Sequence, residues 1–213
     1  MTILAARQPA ASPAAEPAGN DRTASMVARR AMIDSQLRVS GVNDPALLAA
    51  FAAVPREQFV PAPQQSTAYI DRAIALGDGH FLAAPLVHGR ILGEAMPNSS
   101  DTALVVSASG YLAALVAACG ADVTTISPAA GAEAKGKSGS VTLLLIDGAI
   151  EQLPAGLAGR LAEGGRIVTG LVERGVTRLA VGRKVAGAVA LLPIADIGIP
   201  VLAEFAALKR WSF

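Results

Sequence analysis

The side chains that could do chemistry in this chain are few and scattered. His80 and His88 have no neighbouring cysteine and no metal-ligand spacing, so no metal site is expected, and both read as exposed loop and helix residues. Cys119 is the single cysteine; it excludes an internal disulfide, and its Ala-rich surroundings make it a packing residue instead of a nucleophile. No G-x-S-x-G elbow is present for serine chemistry. Gly131-Ala132-Glu133-Ala134-Lys135-Gly136-Lys137-Ser138 has the spacing of a triphosphate-binding loop, which requires a helix whose N-terminal amides cradle the phosphates. Only Gly139 and Ser140 separate it from the next strand, so a flexible connector is expected there. Asp147 differs, because it follows a buried strand at its carboxyl end, where ligands of open α/β sheets bind.

The elements that must position these residues follow from periodicity. Apolar residues at helical spacing predict a helix from Met26 to about Ser40, and Asp44-Pro45 opens a second that closes at Val54-Pro55. Residues 61–80, with turn chemistry at Gly77-Asp78-Gly79, read as ordered loop. Pro85 opens a helix through about Ala95. Beyond Pro97, strands are predicted at Ala103–Val106, Val123–Ile126, Val141–Ile146 and Arg166–Thr169, with helices at Leu112–Cys119 and Pro154–Ala162. Alternation of strand and helix at these spacings predicts a parallel sheet covered by helices, and Arg178–Lys184 with Val189–Leu192 predicts a terminal antiparallel hairpin.

Composition narrows the partners. A net charge of +1, 16% charged residues and 4% aromatics across 213 residues leave neither a basic face nor stacking platforms for nucleic acid. No apolar run reaches membrane length and no signal peptide is recognisable, which together with cysteine usage leads to the expectation of a reducing, cytoplasmic setting. Residues 1–25, rich in Ala and Pro, read as a disordered lead-in; residues 26–213 read as one domain, with a helical part over 26–100 and a sheet part over 101–213.

Three stretches carry a family likeness: Met32-Ile33-Asp34-Ser35-Gln36-Leu37 with Gly41-Val42-Asn43-Asp44, then Val54-Pro55-Arg56-Glu57-Gln58-Phe59-Val60-Pro61, then Ala68-Tyr69-Ile70-Asp71-Arg72. Together with Leu76-Gly77-Asp78-Gly79, Ser109-Gly110-Tyr111 and the segment from Leu157 to Val168, the chain resembles the protein-L-isoaspartate O-methyltransferases over most of Met26 to Leu192. The resemblance implies a Rossmann-like fold, S-adenosylmethionine as cofactor, and methyl esterification of the free carboxylate of an isoaspartyl residue in a protein or peptide. A carboxylate is already a nucleophile and a sulfonium an activated donor, so positioning supplies most of the rate. On that resemblance the cofactor-binding residues are Ser107, Ala108, Ser109, Gly110, Tyr111, Ser127 and Asp147.

Measured against the family pattern, three places depart. The active-site serine position is Ala83, which leaves no catalytic residue to assign. The glycine-rich turn reads Val106-Ser107-Ala108-Ser109-Gly110, lacking two of three glycines and the acidic residue that opens the motif. The end of the second strand carries Ser127 where an acidic residue takes the ribose hydroxyls, and only the segment Ser127–Ser140 leads from there to the Val141 strand, where the family places a helix, a strand and a helix. The expectation is therefore an α/β methyltransferase-like sheet shortened at one edge, with a helical N-terminal subdomain, a C-terminal β-hairpin and an eroded cofactor site. The alternative is a non-catalytic module that binds protein or peptide. The shortened edge exposes the Val123–Ile126 strand, for which a homodimer or the N-terminal tail would be a cover.

Overall fold

The computed structural model describes residues 19–135 and 139–207. Of the expected lead-in, positions 1–18 lie outside the described residues, and helix α1 spans Gly19–Met32, so it starts at Gly19 and not at Met26. It runs into a π turn over Ile33–Leu37 and a 3-10 turn over Arg38–Ser40, stopped by Gly41 at φ 89°. Helix α2 (Pro45–Ala53) starts as its residues dictate: the Asp44 carboxylate accepts the amides of Ala46 and Leu47 at 2.9 and 3.0 Å, and proline occupies the first turn. The stretch expected as ordered loop contains a small hairpin, β1 (Ile74–Gly77) and β2 (His80–Leu82), turned through Gly77, Asp78 and Gly79, all at positive φ. Helix α3 occupies Pro85–Ala95.

The sheet follows: β3 (Thr102–Val106), α4 (Tyr111–Ala118), β4 (Asp122–Ile126), α5 (Pro128–Ala132), β5 (Val141–Ile150), α6 (Ala155–Arg160), β6 (Leu161–Glu173), β7 (Val176–Val185) and β8 (Ala188–Asp196). Strand order is β4-β3-β5-β6-β7-β8, parallel from β4 to β6 and antiparallel from β6 to β8. The chain is thus α/β with a mainly parallel sheet, and β4 is its outer edge.

Period-two alternation divides the core into two layers on either side of the sheet. Ala103, Val105, Leu143, Leu145 and Val168 face the first, with Phe51, Val87, Ile91, Leu112 and Leu115 from the helices. Leu104, Val106, Leu144, Ile146 and Ile167 face the second, with Leu157, Leu202 and Phe205. The N-terminal helices therefore cover one face, while the other is covered by short pieces: α5, α6 and the C-terminal segment. That segment joins β5, since the Ala149 amide donates to Pro200 O at 2.8 Å and the Leu202 amide to Ala149 O at 2.9 Å.

The crossover from β4 to β5 passes over β3 in little more than the dozen residues such a connection needs. It fits because α6 lies directly against it. A Cβ built at Gly156 would overlap the carbonyl of Ala134, backbone against backbone, with no flexible side chain to give way. Gly156→Ala is expected to cost about 1–3 kcal/mol of stability, the range for overpacking, read as a lower urea midpoint at unchanged slope. A wild-type midpoint would show that α6 can withdraw without cost.

Candidate functional site at the carboxyl ends of the central strands

β3 and β5 are paired through Val105↔Leu145 and Val106↔Ile146, so Ser107, which follows β3, and Asp147, which lies within the longer β5 and not past its end as expected, stand side by side where the strand order reverses. Pairing of β5 with β6 shifts between Leu145 and Ala149, a bulge that begins at Ile146 and aims Asp147 inward beneath α3. The Ser107 hydroxyl donates to Asp147 Oδ2 at 2.8 Å, joining the two strand ends. The Asp147 side chain is 2% exposed. Its other oxygen, Oδ1, accepts from His88 Nε2 at 2.9 Å.

Behind His88 lies Arg56, a fully buried arginine. Its Nε donates to Ala68 O at 2.7 Å, its Nη2 to Ala83 O at 2.6 Å, and its Nη1 stands 3.4 Å from His88 Nδ1. Tyr111 closes the cluster: its ring lies 5.1 Å from the guanidinium and 5.2 Å edge-on from His88, and among the described residues its buried hydroxyl has no partner within hydrogen-bonding geometry. Burial alone would push the Asp147 carboxyl up, but the His88 ring, the hydrogen bonds from His88 and Ser107, and the Arg56 charge hold it below its ordinary value. Burial pushes the Tyr111 hydroxyl well up and outweighs the neighbouring Arg56 charge.

The remaining residues expected at the site are placed as follows. Val106 stays in β3, and of the turn Ser107–Gly110 only Gly110 takes positive φ, at 78°. Ser107 Oγ accepts the Gly110 amide at 3.0 Å and Ser109 Oγ the Tyr111 amide at 3.1 Å, so two serines fold a turn for which the family uses glycines. Ala108 is exposed beside them. Ser127 stands apart at the exposed start of α5, its hydroxyl accepting the Ala130 amide at 3.2 Å. Ala83 is buried, and its carbonyl receives Arg56.

Both histidines depart from the expectation of exposure. His88 is fully buried, because α3 lays it on the core-facing stripe with Ile91, Leu92 and Ala95. His80 is half-buried, its Nε2 2.7 Å from Glu204 Oε1 in the C-terminal segment. Cys119 is half-buried against the core, and burial pushes its thiol up. Of the phosphate-loop lookalike, Gly136, Lys137 and Ser138 lie outside the described residues; its first two residues, Gly131 and Ala132, end α5, so the connector expected there is partly helical. Gly131 packs so closely that a Cβ would lie 3.0 Å from Val106 and 3.1 Å from Phe205. Among the described residues no group of three potential metal ligands occurs, and no helix is long and apolar enough to cross a membrane.

Sequence reasoning gave Arg56 and His88 no part in the site. The signal for His88 is its place on the apolar stripe of a helix; for Arg56 it is only its place in the Val54–Pro61 string that carries the family likeness. Arg56→Met is expected to cost about 3–5 kcal/mol, because it strips two buried carbonyls and a buried carboxylate of their cation. Arg56→Lys shifts the urea midpoint in the same direction, since a single ammonium cannot reproduce the fork. The Asp147 contribution to stability is complete above its unfolded pKa of about 4 and is lost as pH falls through its lower folded value. Urea midpoints taken down to about pH 3 should therefore fall less steeply in Asp147→Asn than in wild type.

Comparison with known proteins places this chain in a family. The family profile for protein-L-isoaspartate(D-aspartate) O-methyltransferase (PCMT) matches residues 28–129, ending at α5 where the short crossover begins. The protein-L-isoaspartate O-methyltransferase of Koribacter versatilis is 32% identical over 195 residues, covering 80% of this chain and 88% of the relative. Protein-L-isoaspartate O-methyltransferase 1 of Rhodopseudomonas palustris strain HaA2 is 34% identical over 111 residues, 52% of this chain and 45% of that protein. A Plasmodium falciparum structure described as a beta-aspartate methyltransferase (PCMT) in complex with S-adenosyl-L-homocysteine shares the fold, at a TM-score of 0.69 and 16% identity over 83% of this chain and 98% of its own. A near full-length relative at this identity, a profile match through the N-terminal half and the shared fold lead to one conclusion: the chain belongs to the protein-L-isoaspartate O-methyltransferase family.

Proposed function

We propose that this chain keeps the scaffold of the S-adenosylmethionine-dependent isoaspartyl methyltransferases and carries out their reaction, methyl esterification of an isoaspartyl carboxylate, at a strongly reduced rate. The observation that carries this reading is that the polar groups at the strand ends are already engaged within the chain. Ser107 donates to Asp147, Ser109 and Ser127 cap amides, and Asp147 has a donor on each oxygen. A ribose diol is held best by a free carboxylate at the end of β4, and the residue there is a capping serine. The residues present therefore do not fit S-adenosylmethionine as the family pattern requires. The buried methyl group of Ala83, at the serine position, adds no hydroxyl to orient an isoaspartyl carboxylate.

A second reading, retention of a peptide-binding surface without methyl transfer, is favoured by the bracing of the N-terminal part. Arg29 Nε donates to the Tyr69 hydroxyl at 2.8 Å, Gln36 Nε2 to Tyr69 O at 2.8 Å, and Tyr69 in turn donates to Glu57. Asp71 and Arg72, which follow Tyr69 closely in the chain, stay exposed.

Calorimetric titration with S-adenosylmethionine and S-adenosylhomocysteine tests the first reading. The expected Kd is weaker than about 100 μM, or about −5.5 kcal/mol, and low-micromolar binding would overturn it. Labelled methyl transfer to an isoaspartyl peptide, run beside an active family member, should be slower by at least about 100-fold. Retention of the same peptide on immobilised protein without labelling would favour the second reading.

A further inference from the structure

Asp147 is enclosed, and both its oxygens are occupied from within the chain, so what it does it does through other residues. Resting on the reading of Ala108–Gly110 as the turn that meets the cofactor, we propose that Asp147 is a positioning residue for this turn, acting through Ser107 and itself oriented by His88 and Arg56.

The polarity of each hydrogen bond leads to this. A guanidinium only donates, so His88 Nδ1 accepts from Arg56 and the ring proton sits on Nε2, where Asp147 Oδ1 accepts it. A carboxylate only accepts, so Asp147 Oδ2 takes the single Ser107 hydroxyl proton at 2.8 Å, in preference to Ser109 Oγ at 3.4 Å. With its proton committed there, Ser107 turns its lone pairs toward the Gly110 amide, 3.0 Å away, at the one residue of the turn with positive φ. The donors thus converge on Asp147 from two sides, Arg56 through His88 and the Gly110 amide through Ser107. The connected groups reach from the backbone carbonyls of Ala68 and Ala83, which receive Arg56, to the turn that opens α4. Without Asp147 the Ser107 hydroxyl can rotate its proton toward Ser109, and nothing fixes its acceptor side on Gly110. Among the described residues the charged or titratable groups that act on Asp147 are His88 and Arg56, with Tyr111 packed against both of them.

The test uses the full chain, labelled with ¹⁵N, with and without S-adenosylhomocysteine as the probe. Long-range ¹H–¹⁵N spectra of His88 should show a protonated Nε2 and a bare Nδ1; a proton on Nδ1 would overturn the assigned polarity. In Ser107→Ala the Gly110 amide should exchange about tenfold faster, the equivalent of one hydrogen bond, with the core amides of β3 and β5 unchanged. Ser107→Thr, which restores the hydroxyl, should return exchange to the wild-type value. Equal Gly110 exchange in Ser107→Ala and wild type would sink the proposal, as would failure of the threonine to rescue. Asp147→Ala should reproduce the local effect, and if it does not fold, the serine pair decides alone. S-adenosylhomocysteine at millimolar concentration should shift the Ser109 and Gly110 amides in wild type, with about tenfold weaker affinity in Ser107→Ala. If the probe leaves those amides unmoved while exchange and tautomer behave as expected, the hold on the turn stands and the cofactor reading of the turn falls.

Discussion

An ionised carboxylate withdrawn from water at the end of a central strand must be met by donors on every side, or the strand end cannot stay where it is. Asp147 imposes this requirement, and much of the architecture around it answers to it. The requirement puts a histidine on the buried stripe of α3 and behind it an arginine that could not be buried without the two carbonyls that receive it. It also recruits the first residue after β3. In this way the helical N-terminal part, α3 and the two central strands are bound at one point by groups that cannot be exchanged singly.

Around that point the two faces of the sheet are built differently. One is packed by α2, α3 and α4 with long aliphatic and aromatic side chains, the other by two short helices and a C-terminal segment whose Leu202 and Phe205 do the filling. Gly148 shows how closely that segment lies on β5, since a Cβ there would sit 2.5 Å from Leu202 Cγ. The polar cluster belongs to the thick face and the closely fitted segment to the thin one. The point of strand reversal is therefore bordered on one side by hydrogen bonds and on the other by apolar contact. The His80–Glu204 pair links the β1–β2 hairpin to the segment across the carboxyl end of the sheet.

Much of this was legible in the sequence, because the sheet residues are apolar on both faces and the helices are punctuated by proline and glycine. Pro85 to Ala95 is read as a helix with the bounds it has, and the parallel pairing of the central strands follows from their alternation with helices. The β1–β2 hairpin was missed because its strands are too short for a period to show. The extension of β5 past Ile146 was missed because a bulge interrupts the pattern there. Among site residues, Ser107 and Asp147 were within reach because each follows a recognisable strand. His88 reads as exposed when only its lack of ligand spacing is considered, whereas His88, Ile91, Leu92 and Ala95 recur on one buried helical face. Arg56 and the His80–Glu204 pair depend on contacts between residues far apart in the chain, which no local pattern encodes.

The bare Cα of Gly156 against the Ala134 carbonyl also bears on how this chain can change. With α6 pressed onto the crossover, the space that a longer connection would need is already filled by backbone. The positions of α6 and of the crossover at Ala134 are therefore coupled: the crossover can move toward α6 only where α6 moves with it.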